Sequence, residues 1–68
     1  MELKKVKSSN IDSVGYENEN LYIKYQSGAI YKYKNVPKVI YESFIDSDSK
    51  GRFMNSEIKN KYLFERLN

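Results

Sequence analysis

Apolar and polar residues alternate with a period of two through the first half of the chain, then recur at helical spacing in the second. Residues 21–25 set Leu21, Ile23 and Tyr25 against Tyr22 and Lys24. Residues 29–34 set Ala29, Tyr31 and Tyr33 against Ile30, Lys32 and Lys34. A looser alternation over 12–16 places Val14 and Tyr16 on one side. Two polar clusters, Glu17-Asn18-Glu19-Asn20 and Gln26-Ser27-Gly28, separate these runs and read as turns. Parity then fixes the register. A two-residue loop at Ser27-Gly28 would pair Tyr25 with Ile30 and Ile23 with Lys32, which brings lysine onto the apolar face. A three-residue loop, Gln26-Ser27-Gly28, pairs Tyr25 with Ala29, Ile23 with Tyr31 and Leu21 with Tyr33. It keeps that face apolar and puts Gly28 where such a loop needs a left-handed residue. A four-residue first loop likewise pairs Tyr16 with Leu21 and Val14 with Ile23. The pattern therefore predicts a three-stranded antiparallel meander with one apolar face, its other face carrying Tyr22, Lys24, Lys32 and Lys34.

The second half reads as helical. Val36-Pro37 opens a helix, because proline is tolerated in a first turn, and Asn35 is the expected cap. Val36, Ile40 and Phe44, flanked by Val39, Ser43 and Ser47, form a stripe suited to covering the apolar sheet face. Tyr41 and Ile45 lie four apart and point away from that stripe. The segment from Asp46 to Gly51 ends the helix, and residues 53–61 form a second, shorter one with Met54 and Ile58 inward. The expected fold class is α+β: a three-stranded antiparallel meander packed on one face by a helix, followed by a second short helix. One domain spans 1–68, with 1–7 as a mobile basic arm and 62–68 as a tail of undetermined conformation.

Composition narrows the function. The 68 residues include no cysteine, histidine or tryptophan. The usual nitrogen and sulfur ligands of zinc and copper are thus absent, as are the commonest general base and every Ser-His or Cys-His pair. We expect no enzyme, no metal and no cofactor. A chain this short buries only about 60% of the surface it exposes when unfolded. With no disulfide to compensate, the seven tyrosines and three phenylalanines must supply much of the buried area. The net charge of +3 permits a nucleic-acid or acidic partner without demanding one. No targeting signal and no membrane-length apolar run is seen, so the expectation is a cytoplasmic protein, in keeping with the lack of cysteine. Richness in Lys, Asn, Ile, Tyr and Ser, whose codons are mostly A/T-rich, points to a low-GC bacterium or its mobile elements.

Several short strings fall in the order of a known family. They are SSNI at 8–11, VGY at 14–16, Gly28, YKY at 31–33, VP at 36–37 and SKGRF at 49–53, with Ile58 and Tyr62 after them. The chain resembles the KTSC domain over residues 6–62. That small module is named for its occurrence at the C-terminus of some lysyl-tRNA synthetases and also occurs as a stand-alone bacterial protein. Single strings such as YKY are weak, whereas their order and spacing together are specific. The resemblance implies no established activity, and RNA binding only by association with the synthetase. Ser47 departs from the family, which usually has alanine there.

The candidate chemistry is that of binding. Tyrosines interleaved with lysines hold bases in several single-strand binders, but parity turns Tyr31 and Tyr33 into the core. The open face with Tyr22, Lys24, Lys32 and Lys34 is the better phosphate-contacting surface, weighed against an ordinary solvated strand face. Ser49-Lys50-Gly51-Arg52 can form an anion nest if Gly51 is left-handed; the bland alternative is a helix–helix turn. Asp46, Asp48, Gly51 and Glu57 match an EF-hand calcium loop in spacing, but Lys50 puts a cation where an oxygen ligand belongs. Ser8 and Ser9 lack a base partner and read as turn residues. Two functions remain. The first is a nucleic-acid module, for RNA or another single strand, gripping phosphate with Lys24, Lys32, Lys34, Lys50, Arg52, Lys59 and Lys61 beside Tyr22. The second is a protein-interaction or self-associating module using Tyr41 and Ile45, unless the tail folds over them. No membrane partner is expected.

Overall fold

The central hairpins pair in the register that parity dictates. In the structure, a computed structural model that describes residues 2–68, Leu21 faces Tyr33 and Ile23 faces Tyr31, while Tyr16 faces Leu21 and Val14 faces Ile23. The strands are β2 (Ile11–Glu17), β3 (Asn20–Tyr25) and β4 (Ile30–Tyr33). Gly28, at φ 97°, closes the second loop, and the Tyr25 amide bonds the Ala29 carbonyl at 2.9 Å. The first loop is tighter than expected. Glu17 and Asn20 still pair, and the reversal falls on Asn18 and Glu19, both at positive φ, as a two-residue hairpin turn requires.

The sheet has five antiparallel strands, where the pattern predicted three. β1 (Lys4–Lys5) adds to β2, and β5 (Phe64–Arg66) adds to β4, giving the order β1-β2-β3-β4-β5. The arm expected to be mobile over 1–7 is thus paired at Lys4 and Lys5; its first residue lies outside the described residues. The tail is likewise a strand. Asn68 fixes it by donating from Nδ2 to the Gly28 carbonyl at 2.8 Å and accepting at Oδ1 from the Ile30 amide at 3.0 Å. Both added strands are edges whose bonds come from the backbone, so neither needs an alternating pattern.

The helical half also differs in phase. α1 (Lys38–Asp46) starts after Pro37, which stands at its N-terminus, so Asn35 is not the cap. Asn35 instead takes a left-handed backbone, φ 58°, in the link before Pro37. Val36 is fully buried outside the helix, its amide on the Glu19 carbonyl at 2.7 Å and its carbonyl accepting the Tyr16 hydroxyl at 2.6 Å. Starting at Lys38 rotates the stripe. Val39 is 64% exposed, whereas Tyr41 and Ile45 pack at the core margin beside Ile40 and Phe44. Tyr41 stacks on Tyr16, centroids 4.6 Å apart and planes 11° from parallel. The pair expected to be an open interface is therefore half-buried, and a strand tyrosine covers its Tyr41 member.

α2 (Lys50–Phe53) runs directly into a π-helical turn (Met54–Ile58), which buries Met54 and Ile58 as expected. The core joins these two residues to Ile11, Val14, Leu21, Ile23, Tyr33, Val36 and Phe44. Tyr33 is fully inside, but Tyr31 is only half-buried, so the helices cover one tyrosine of the YKY string and leave the other at the margin. No helix among the described residues is long and apolar enough to cross a membrane.

Candidate functional site

Two segments forty residues apart in sequence meet at one end of the sheet. Ser8 turns the chain into β2: its Oγ accepts from the amides of Asn10 at 3.3 Å and Ile11 at 3.2 Å. That turn brings Lys7, Ser8, Ser9 and Asn10 against Asp48, Ser49, Lys50, Gly51, Arg52 and Asn55, around a cleft of about 610 Å³. Gln26 ties the turn to the β3–β4 loop by donating from Nε2 to the Ser8 and Ile11 carbonyls. The cleft holds Lys7, Lys50 and Arg52 against Asp48 alone, with serine hydroxyls and asparagine amides between them. Such a lining suits an oxyanion, which takes charge from the cations and hydrogen bonds from the neutral donors.

Ser49 caps α2, its Oγ accepting from the Arg52 amide at 3.4 Å. Gly51 is helical and not left-handed, so the nest expected at Ser49, Lys50, Gly51 and Arg52 is not formed by the backbone. The glycine serves close approach instead. A Cβ there would stand 3.3 Å from Asn10 Nδ2, at the contact between the two segments. Lys50 extends back to the end of α1, donating to the Ser47 carbonyl at 3.2 Å.

The predicted cations do not converge on one surface. Lys50 and Arg52 line the cleft, and Lys59 lines the adjoining cavity with Asn10, Tyr25 and Gln26. Tyr22, Lys24 and Lys32 project from the sheet face away from the helices, across from Gly15, Ser13 and Glu65 respectively. That face is partly neutralised: Lys34 pairs with Glu65 at 3.6 Å and Lys5 with Asp12 at 3.4 Å. Asp12 is held below the ordinary carboxylate range first by the Ser13 hydroxyl and then by Lys5 and Lys24. Lys61 pairs with Glu57 at 3.5 Å on the far turn of the helix. This also removes the calcium-loop geometry, since residues 50–58 are helical and Glu57 is engaged elsewhere. Lys7 was expected only as part of a basic arm, and Asn10 and Asn55 were not foreseen as site residues; Asn10 has one sequence signal, its place in the family string SSNI.

The model of the KTSC domain matches residues 7–62, and the chain belongs to that family. It is similar to the crystal structure of a KTSC domain protein from Yersinia pestis at TM-score 0.95 and 35% identity, covering 98% of this chain and 97% of that one. A protein of Stutzerimonas stutzeri is 34% identical over 59 residues, 84% of this chain and 83% of its own length. A lysine–tRNA ligase of Nostoc punctiforme is 37% identical over 67 residues, which is 96% of this chain but 12% of the ligase.

Proposed function

We propose that the chain is a non-catalytic RNA-binding module that seats backbone phosphate in the cleft between residues 7–10 and 48–55. One observation carries the reading: tertiary closure gathers Lys7, Lys50 and Arg52 around neutral hydrogen-bond donors, with Lys59 in the next cavity. The occurrence of a related segment within a ligase whose name includes tRNA supports a nucleic-acid setting. The absence of cysteine fits a reducing cytoplasm. The test is a salt titration with mixed-sequence RNA. About four phosphates contacted on a single strand give a slope of log affinity on log salt near −3. Arg52→Ala flattens that slope by about 0.7, the share of one phosphate. Lys24→Ala, on the sheet face, leaves it unchanged. No binding at low salt ends this reading.

A second reading, a protein-interaction module, is favoured by the free edge of β5, where Leu63, Phe64 and Leu67 are 78%, 52% and 48% exposed. Such an apolar edge invites strand pairing. It predicts that Leu63→Asp abolishes self-association or a complex while leaving the fold intact; a wild-type chain that is monomeric and captures nothing sinks it.

A further inference from the structure

Three hollows adjoin along one side of the molecule. The cationic cleft shares Asn10, Gly51 and Asn55 with a second cavity of about 380 Å³, which reaches Tyr25, Gln26 and Lys59. That cavity shares Tyr25, Ser27 and Lys59 with a third of about 240 Å³, walled by Tyr31 and Tyr33. The chemistry changes in order along this groove, from full positive charge, through amides, to aromatic rings.

The ring end is rigid. The hydroxyls of Tyr25 and Tyr33 share a hydrogen bond at 3.1 Å. Tyr31 stands edge to face with Tyr25, centroids 5.6 Å apart and planes 89° apart, and Phe64 lies 5.3 Å from it on the neighbouring strand. Half-buried rings held this way lose little freedom when a flat ligand lands on them. The middle is suited to a base edge. Gln26 spends its Nε2 on two carbonyls and so offers an acceptor oxygen, while Asn10 and Asn55 are exposed amides. Lys59 borders both the amide and the ring cavities, where a second phosphate would pass.

Resting on the phosphate-gripping reading above, we propose that the groove takes single-stranded nucleic acid, with phosphate in the cationic cleft and an unstacked base against the Tyr25–Tyr31 ledge. The internal bases of a duplex cannot use the ledge, because their faces are stacked on one another. Stacking on an aromatic platform discriminates a base-bearing strand from a bare backbone by about tenfold.

The test uses the intact chain and three labelled probes of equal length, about five nucleotides per strand. They are an oligouridylate, an abasic phosphodiester, and a duplex closed at both ends by non-nucleosidic linkers that cover its terminal base pairs. Fluorescence anisotropy at low salt should show the oligouridylate binding about tenfold more tightly than the abasic strand. The duplex should do no better than the abasic strand, and tyrosine emission should be quenched by the oligouridylate alone. Abasic binding as tight as uridylate, or duplex binding as tight as uridylate, overturns the base ledge and leaves phosphate gripping in place. Failure of all three probes to bind overturns both.

Discussion

Replacing Gly51 with alanine should separate stability from binding. Gly51 is the second residue of α2 and has no positive φ, so its backbone suits any residue. In a helix, alanine is favoured over glycine by about 0.5–1 kcal/mol, because glycine loses more conformational freedom on folding. The opposing term is steric. The new methyl would stand 3.3 Å from Asn10 Nδ2, tighter than most such contacts. That atom ends an exposed side chain whose residue is anchored by its backbone, through the Ser8 Oγ and the Gln26 amide. The amide can therefore swing aside without disturbing its own main chain. Near a helix start the smaller end of the range applies, so the net gain is about 0.5 kcal/mol. With an m-value of about 1 kcal/mol/M in urea for so small a domain, the unfolding midpoint should rise by about 0.5 M. Binding should move the opposite way. The methyl occupies the neck where the cationic and amide cavities meet, and it displaces a donor. Loss of one hydrogen bond, about 1 kcal/mol, weakens oligouridylate by about fivefold. Urea melts and anisotropy titrations on the same preparation check both signs. A lowered midpoint would show that the contact with Asn10 is rigid and structural. Unchanged affinity would show that the neck is not used.

Two further outcomes follow from the packing. Burial raises the phenols of Tyr25 and Tyr33 above their ordinary value of 10.0. Raised folded pKa values mean that the native state holds these protons more tightly, so their stabilisation is complete below pH 10 and falls as pH rises beyond it. Near-ultraviolet phenolate absorbance should therefore rise with pH in more than one step; seven equivalent tyrosines titrating together with the fold intact would contradict this. Asn68→Ala removes the side-chain bonds to Gly28 in the β3–β4 loop and to Ile30 at the start of β4 and should cost about 1 kcal/mol. It should also speed hydrogen exchange at the Ile30 amide, and unchanged exchange there would show that the tail is not what protects it.

The central meander was legible because both hairpins carry alternation on each strand, and only one loop length keeps lysine off the apolar face. The edges were not. β1 consists of Lys4 and Lys5 and β5 of Phe64, Glu65 and Arg66, segments whose pairing rests on backbone bonds and whose side chains are exposed. α1 was legible as a helix but not in phase. Val36 looked like its first apolar position, yet it is buried as the acceptor of the Tyr16 hydroxyl, before the helix starts. Shifting the start to Lys38 turns Val39 outward and brings Tyr41 onto Tyr16. In the candidate site, Lys50, Arg52 and Lys59 could be singled out by charge. Lys7 stood out only as part of a basic arm, and Asn10, Asn55 and Tyr25 not at all, since these residues join the site only through the Ser8 turn and the packing of α2 beside it.

Electrostatics decides which basic surface is the better place for phosphate. On the sheet face, Lys5 and Lys34 are already matched to Asp12 and Glu65, and Lys24 also acts on Asp12. A phosphate arriving there must compete with fixed carboxylates and feel their repulsion. Each exposed pair is worth under about 1 kcal/mol, so the obstacle is as much the remaining negative charge as the bonds displaced. In the groove, Lys7, Arg52 and Lys59 form no ion pair among the described residues, and Lys50 rests on a neutral carbonyl. An oxyanion entering the groove relieves the mutual repulsion of these cations without dislodging a carboxylate bonded to them. On the sheet face Lys5 and Lys34 are committed to carboxylates, whereas none of the groove's cations is ion-paired among the described residues, and the groove leads from charge to the paired rings of Tyr25 and Tyr31.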